Sequence, residues 1–240
     1  MPPSIRCRPT ARQPALSPRI EVLLIDLDDT LYPPGNGVWR LISDRIDAYM
    51  TDRLGLSTAE AGRLRSSYLE AQGTTLQGLM RDYEIDPSGY LTFVHDLDYP
   101  SLLSPDSELR QVLESLPQTK YIFTNASAEH ARNVLDALQL EDLFSGIIDI
   151  VAVDYANKPD RMAYVRALEL IGGPPPEVCL LADDRLVNLR SAHAMGMTTV
   201  LVGSGPGQDV DAQIDRLAEL PRALPHLLDG NQLEQRRAHE

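Results

Sequence analysis

Carboxylates crowd together near the start of the chain, where Asp26, Asp28 and Asp29 precede Thr30. They end a short, nearly continuous apolar run over residues 20–27, which predicts a strand buried on both faces. If the strand continues that far, its alternation lets Asp26 and Asp28 project to the same side. Two carboxylates held close together need a cation or a shared proton. The string therefore indicates a metal site or an acid–base pair, although three acids can also simply mark a solvated strand end.

A second acidic pair, Asp183 and Asp184, follows an apolar run over residues 178–182. Ligands of open α/β sheets bind outside the carboxyl ends of the strands, so the two sets of carboxylates can converge on one sheet edge. Hard oxygen ligands of this kind suit Mg²⁺, which binds through one or two carboxylates together with substrate phosphate. The two sets together favour a magnesium site.

Two further positions could bind an anion. Thr124 and Asn125 end the run over residues 120–124 and precede a helix start, where a hydroxyl and free main-chain N–H groups would meet a phosphoryl oxygen. Lys158 is one of two lysines in the chain, and Pro159 follows it at the start of another helix. Taken singly, Thr124 can be an ordinary helix cap and Lys158 a surface lysine.

The elements that must position these residues alternate along the chain. Strand-length apolar runs lie at residues 20–27, 120–124, 147–151, 178–182 and 198–202. Amphipathic helical stretches lie at residues 105–116, 127–138, 159–171 and 186–194. This alternation predicts an α/β fold with a doubly wound, Rossmann-like parallel sheet.

About ninety residues separate the first two runs, too many for a sheet crossover. They read as helices at residues 38–54, 58–71, 75–83 and 88–97, so we predict an inserted helical domain. The expected organisation is a disordered tail over 1–18, a core over 19–33 and 100–228, a helical cap over 34–99, and a frayed tail over 229–240. A short helix is expected near residues 212–220.

Composition excludes several classes of protein. The chain is 43% hydrophobic and 24% charged, as in ordinary globular proteins. Its net charge of -13 argues against nucleic acid and an anionic membrane surface as partners, and its apolar runs are too short to span a membrane. Cys7 and Cys179 are the only cysteines, which excludes a disulfide framework and a cysteine-ligated zinc site and fits a cytoplasmic location.

In this order, the motifs resemble those of the haloacid dehalogenase-like hydrolase superfamily. The string from Asp26 to Thr30 matches its DxDxT motif, Thr124 its second motif, Lys158 its third, and the pair Asp183 and Asp184 its fourth. The helical insertion resembles the family's cap, which closes over the active site. The family fold is the α/β core already expected from the alternation.

The resemblance implies a Mg²⁺-dependent phosphomonoester hydrolase. In that chemistry Asp26 forms an aspartyl-phosphate, and Asp28 protonates the leaving group and then activates water. The phosphoryl group would be bound by Thr124, Asn125 and Lys158. The expected metal ligands are the Asp26 carboxylate, the Asp28 main-chain carbonyl and Asp184, with Asp183 acting through water or a neighbouring group.

Further strings resemble the pyrimidine 5′-nucleotidase branch, which dephosphorylates UMP and CMP. They are residues 31–33, 73–79 and 123–126, and Asn188 after the second acidic pair. Arg185 departs from that branch, where serine is frequent. The expected partner is therefore a small phosphorylated metabolite, a nucleoside monophosphate first, with phosphoglycolate, sugar phosphates and lysophospholipid phosphates as alternatives. No oligomeric state can be read from the sequence.

Three other readings compete. A 2-haloacid dehalogenase shares the nucleophile, but its first motif lacks the second aspartate. A signalling receiver domain carries its acidic pair first and has no large helical insertion, and a non-catalytic binding module would not need every catalytic position filled. His95, His130 and His193 are assigned to packing, Cys179 to the buried core, and no choice is made among the cap aromatics, Trp39, Tyr49, Tyr68, Tyr83 and Tyr90.

Overall fold

A six-stranded parallel sheet forms the centre of the computed structural model, which describes residues 19–205 and 207–231. The strands are ordered β3-β2-β1-β4-β5-β6, and every neighbouring pair runs parallel. Their bounds are β1 Val22–Ile25, β2 Thr119–Phe123, β3 Gly146–Ile148, β4 Cys179–Asp183, β5 Thr198–Val202 and β6 Ala212–Ile214. The chain order reverses at β1, so its carboxyl end lies where such sheets bind ligands.

Apolar side chains of the central strands alternate between two cores, one on each face of the sheet. In β1, Leu23 and Ile25 join one buried cluster, whereas Val22 and Leu24 join the other. Every residue of β1 is buried, as expected for a strand covered on both faces. Burial of this apolar surface is the main force that fixes the sheet and its register.

Helices that connect or follow the strands cover the two faces of the sheet. Those of the α/β core are α6 Ser107–Ser115, α7 Ala128–Leu138, α8 Arg161–Leu170, α9 Leu186–Ala194 and α10 Leu220–Ala223. Side-chain caps begin several of them, and the Ser127 hydroxyl accepts the His130 main-chain N–H at the start of α7. The helices hold the strand-end loops at one edge of the sheet.

The segment between β1 and β2 is helical, as the sequence predicts. It contains α1 Val38–Ala48 with a π-helical extension Tyr49–Arg53, α2 Thr58–Gln72, α3 Thr75–Tyr83, α4 Pro87–Val94 and α5 Tyr99–Leu102. A capping box between Ser57 and Glu60 starts α2, and Gly73 ends it with φ of 80°. The division into cap and core domains at residues 34–99 stays a prediction.

The doubly wound parallel fold is confirmed, and two local predictions are wrong. Residues 212–214 form the edge strand β6 instead of a helix, because they pair with Val200–Val202, an interaction between distant segments that local pattern does not reveal. The third strand covers Gly146–Ile148, and a turn replaces the rest of the predicted run.

Some predictions concern residues at the two ends of the sequence that the structure does not describe. The predicted tail over residues 1–18, and most of the one over 229–240, lie outside the described residues. The first three residues of the latter belong to a 3₁₀ helix, Pro225–Asn231. Within residues 19–205 and 207–231, no helix is both long and apolar enough to cross a membrane.

Candidate active site

The carboxyl ends of three neighbouring strands, β2, β1 and β4, bring the sequence motifs together. Asp26 directly follows β1, where its main-chain N–H donates to Ala182 O at 2.9 Å. Asp183 is the last residue of β4, and Thr124 follows β2. We call the set Asp26, Thr124, Lys158, Asp183 and Asp184 the site floor.

A buried ammonium joins the two acidic motifs. The Lys158 side chain is 1% exposed, and its Nζ donates to Asp26 Oδ1 at 2.8 Å, Asp183 Oδ2 at 2.7 Å and Phe123 O at 2.7 Å. Burial by itself disfavours the charged amine, but the Asp183 and Asp26 carboxylates outweigh it and raise the pKa of Lys158. This lysine is therefore a fixed positive charge rather than a surface side chain.

Negative charge at the floor exceeds this one ammonium. Burial, with the charges of Asp183 and Asp184, raises the pKa of Asp26 to about 8 despite Lys158. Burial, with the charges of Asp183 and Asp29, raises the pKa of Asp184 to about 7. Carboxylate groups that resist ionisation in this way form a site where a divalent cation would relieve repulsion.

The donor set also fits a hard metal ion. Oxygen atoms of Asp26, Asp183 and Asp184 lie within 4.8 Å of one another. An all-oxygen set containing a partly exposed carboxylate suits Mg²⁺, which keeps several waters. Asp26 and Asp184 are the better direct ligands, because, among the described residues, the two Asp183 oxygens already accept four hydrogen bonds, whereas the two Asp26 oxygens accept one each.

Those bonds to Asp183 come from three sources. Asn188 Nδ2 donates to both oxygens, at 2.9 and 3.0 Å, and the Arg185 main-chain N–H donates to Oδ1 at 2.9 Å. Lys158 binds Oδ2. The position of the Asp183 carboxylate is therefore fixed, and this carboxylate in turn fixes the Lys158 ammonium. Asn188 affects the lysine only through its contact with Asp183.

Asp28 lies in a different environment from Asp26. The β1 strand ends at Ile25. Asp28 lies in the turn that follows, which is closed by a hydrogen bond from the Leu31 N–H to Leu27 O (2.9 Å). The strand therefore does not continue to Asp28, which was the condition for Asp26 and Asp28 to project to the same side. The Asp28 carboxylate accepts from the Tyr32 hydroxyl and lies 2.8 Å from His130 Nε2.

These contacts decide the ionisation of Asp28. Burial would raise its pKa, but the charge and hydrogen bond of His130 and the Tyr32 hydroxyl outweigh burial, and the pKa of Asp28 lies below its usual value. The two aspartates of one motif therefore differ in ionisation: Asp26 resists giving up its proton, and Asp28 does so readily.

Thr124 and Asn125 have structural partners of their own. The Thr124 hydroxyl accepts the Ala126 N–H at 3.0 Å, and the Asn125 side chain binds the Lys158 main chain on both sides, at 2.8 and 3.0 Å. The Asn125 side chain thus fixes the loop that carries Asn157, Lys158 and Pro159, which we call the lysine loop. The Thr30 hydroxyl donates to Asp26 Oδ2 at 3.1 Å, which joins the end of the first motif to its first aspartate.

A cavity of about 440 Å³ lies between this floor and the inserted helices. We call its mainly apolar upper lining the site roof. The roof consists of Trp39, Ile42, Ile46, Leu69, Leu76, Tyr90, Leu91 and Val94. Trp39 is the most open of them, at 46% exposure.

Roof and floor meet at Gly73, in the α2–α3 turn. Arg185 donates to Gly73 O at 3.2 Å, and Asn157 donates to Gln72 O at 2.8 Å. A Cβ at Gly73 would lie 2.8 Å from Asn157 Nδ2 and 3.1 Å from Lys158 O. The turn therefore lies directly against the lysine loop. Arg185, unexplained by the sequence, joins the turn to the end of β4, because its side chain binds Gly73 O and its main-chain N–H binds Asp183.

The histidines divide into two kinds. His130 and His95 lie beside Asp28, and assigning His130 to packing missed its contact with the carboxylate. The sequence offers no signal for that contact, because 102 positions separate the two residues. His193 is exposed and lies 3.6 Å from Asp211, away from the floor, whereas Cys179 is buried as expected.

Residues 20–196 match the family of haloacid dehalogenase-like hydrolases, and the chain belongs to that family. The resemblance drawn from the motifs is thereby confirmed.

Two curated relatives carry phosphatase or phosphate-metabolism names. Phosphate metabolism protein 8 of Saccharomyces cerevisiae is 31% identical over 202 residues, covering 78% of this chain and 63% of its own length. Enolase-phosphatase E1 of Shewanella denitrificans is 31% identical over 136 residues, covering 55% of this chain and 54% of its own. The chain therefore spans less than two thirds of either relative.

Solved structures show the same fold at lower identity. A HAD phosphatase from Thermococcus onnurineus superposes with a TM-score of 0.59 at 22% identity, over 85% of this chain and 97% of that one. L-2-haloacid dehalogenase from Xanthobacter autotrophicus gives 0.55 at 16% identity, over 88% and 99%. Both chemistries thus occur on this fold, and the site must distinguish them.

Proposed function

We propose that the chain is a Mg²⁺-dependent phosphomonoester hydrolase that works through an aspartyl-phosphate. The observation that carries the proposal is the buried Lys158 ammonium, bonded at once to Asp26 and Asp183 beneath an open cavity. A fixed cation beside a carboxylate nucleophile suits an incoming phosphate dianion, despite the net charge of -13.

The reaction divides into two displacements. An oxygen of the ionised Asp26 carboxylate attacks phosphorus, the ester oxygen leaves with a proton from Asp28, and the aspartyl-phosphate forms. The charge of Lys158 favours the ionised form of Asp26, and the negative charge of a bound phosphate would raise the pKa of Asp28 and so favour its protonated form before the attack. Water then attacks that phosphorus and gives a proton to Asp28, which releases inorganic phosphate and restores both carboxyl groups. Once Asp28 has given up its proton, its contacts with His130 and Tyr32 keep its pKa below the usual value, so it stays ionised and can accept the proton from water.

Phosphoryl oxygens would be bound by the Thr124 hydroxyl and by the Asn125 main-chain N–H, since the Asn125 side chain is engaged with the lysine loop. Lys158 would bind a phosphoryl oxygen by exchanging one of the three contacts that its ammonium now makes. Asp26, Asp184 and the Asp28 main-chain carbonyl would hold the metal ion, with Asp183 acting through its neighbours. When bound, Mg²⁺ neutralises charge on the phosphoryl group and on the carboxylates.

For the substrate, we propose a pyrimidine nucleoside monophosphate such as UMP or CMP. An apolar roof that includes Trp39 and Tyr90 suits a flat base, and the cavity of about 440 Å³ lies within the range of small-molecule sites. A different small phosphorylated metabolite is the second candidate, because one relative is named an enolase-phosphatase. Asp28, beside His130, favours phosphatase over dehalogenase chemistry, because ester cleavage needs an acid at the leaving oxygen.

The test is phosphate release from UMP, CMP, AMP, dUMP, phosphoglycolate and an aryl phosphate, with Mg²⁺ or with chelator. Asp26→Asn is the nucleophile control, and chloride release from 2-chloropropionate tests the dehalogenase. We expect Mg²⁺-dependent release, fastest with UMP and CMP and lost in Asp26→Asn. Chloride release without phosphate release would contradict the proposal, and equal rates on all phosphates would remove the nucleotide assignment alone.

A further inference from the structure

His130 is a completely buried histidine whose ring is bound on both sides by polar groups. It lies in the first turn of α7, the helix that follows the Thr124 loop. Its Nε2 is 2.8 Å from Asp28 Oδ1, and its Nδ1 is 2.7 Å from the Tyr99 hydroxyl. Both ring nitrogens of the buried imidazole therefore have polar partners, and one of these partners is a carboxylate of the first acidic motif.

The orientation of the His130 ring plane is fixed as well. The Tyr99 hydroxyl donates to His95 O at 2.7 Å, and the His95 ring stacks on His130 with centroids 4.4 Å apart and an interplanar angle of 21°. His95 Nδ1 lies 3.1 Å from the Ser127 hydroxyl, which caps α7. Three elements, α4, α5 and α7, therefore set the position of one imidazole.

That imidazole orients the Asp28 carboxylate. Both Tyr32 and His130 contact Oδ1 of Asp28, one from the β1 loop and one from α7. Two contacts on one oxygen from different directions fix the carboxylate plane, and with it the position of Oδ2. Asp28 also lines the cavity. The rate of proton transfer depends steeply on this geometry, so a residue that orients Asp28 affects the rate as much as Asp28 itself does.

We propose that His130 is a positioning residue for Asp28, and that Tyr99 positions His130 in turn. The inference rests on the proposed function, in which Asp28 gives its proton to the leaving oxygen. It predicts that loss of the Nε2 contact slows the first displacement most when the leaving oxygen needs a proton.

The experiment measures leaving-group release in the first turnover, by rapid quench, with two phosphates. One is UMP, or the fastest alkyl phosphate of the panel, whose alkoxide needs a proton. The other is a nitrophenyl phosphate, whose phenolate leaves without one. The variants are His130→Asn, whose amide can reach Tyr99 but not Asp28, and His130→Gln, whose amide nitrogen can take the place of Nε2. His193→Asn is the matched surface control.

We expect His130→Asn to slow alkoxide release about 10- to 100-fold and phenolate release less than about threefold, with KM nearly unchanged. His130→Gln should recover most of the loss, and His193→Asn should behave as the unsubstituted chain. In an Asp28→Asn background, His130→Asn should add no further slowing. Equal slowing of both leaving groups, or no slowing of either, would overturn the positioning role.

The underlying function is checked separately. Release by the unsubstituted chain and none by Asp26→Asn supports the phosphatase, whatever His130 does. No release by the unsubstituted chain overturns both proposals. If circular dichroism shows that His130→Asn does not fold, Tyr99→Phe takes its place, since it removes one hydroxyl group. Tyr99→Phe should slow release of the alkoxide more than release of the phenolate, as His130→Asn does, but by a smaller factor.

Discussion

The floor of the cavity and its roof are held by different forces. On the floor, Lys158, Asp26 and Asp183 are fixed by charged hydrogen bonds of 2.7 to 2.8 Å. The roof is an apolar surface of packed helices, with Trp39 almost half exposed. Directional contacts fix the position of reacting atoms, whereas apolar packing tolerates changes of shape. We therefore expect the chemistry to depend on the strand ends and selectivity to depend on the inserted helices.

The largest effect is expected at the floor cation. Lys158→Met should lower turnover on the order of 10³-fold and destabilise the fold by about 3 kcal/mol, because it leaves two buried carboxylates without their partner. Steady-state kinetics and urea unfolding measure the two effects.

Lys120, the other lysine, provides the matched control. It is also buried, but among the residues that the structure describes its ammonium binds main-chain oxygens alone, those of Leu116 and Gln118. Lys120→Met should therefore reduce stability by about 1–2 kcal/mol and leave turnover within about twofold. Similar losses of turnover in the two variants would show that general destabilisation, and not the floor charge, explains the first result.

The second effect concerns the turn where roof meets floor. Gly73→Ala should reduce turnover about 10-fold or more, because the added Cβ would press on Asn157 and the main chain of Lys158. Gly55→Ala is the control: its φ is also positive, at 69°, but no atom of the described part of the chain lies within 4 Å of the added Cβ. Both variants should lose about 1 kcal/mol from backbone strain, and only Gly73→Ala should lose activity.

The third effect is a change of selectivity without loss of chemistry. Thr75 is buried and lines the cavity at the start of α3. Thr75→Tyr should alter the ratio of kcat/KM for UMP to that for phosphoglycolate about 10-fold or more, because the larger ring excludes the bulkier substrate. Thr92→Tyr, on the exposed side of α4, should leave the ratio unchanged. An unchanged ratio in Thr75→Tyr would remove this segment as a specificity determinant.

The smallest effect is expected at the opposite end of β4. Cys179 begins the strand that Asp183 ends, and burial raises the pKa of its thiol to about 12. Cys179→Ala should reduce stability by about 1 kcal/mol and change turnover less than about twofold. Iodoacetamide should not alkylate this thiol in the native protein at pH 8, as peptide mass spectrometry would show. A large loss of turnover would contradict the assignment of the chemistry to the carboxyl ends.

Much of the fold could be predicted because its signals are local. Apolar runs marked five of the strands, and α9 begins and ends where the pattern of residues 186–194 places it. The edge strand β6 was missed, since three residues carry too little periodicity and their pairing partner is remote in sequence. The candidate floor follows from motif spacing, but its contacts do not.

The sequence by itself determined the class of fold, the family and the acidic, hydroxyl and amine groups available for chemistry, because burial pattern and motif spacing lie along the chain. Only the tertiary structure decided which groups meet. It placed Lys158 between two carboxylates, gave Asp26 and Asp28 opposite pKa shifts, and brought His130 to Asp28. The physical reason is that ionisation and hydrogen bonding depend on distances of a few ångströms between residues about a hundred positions apart, which packing alone sets.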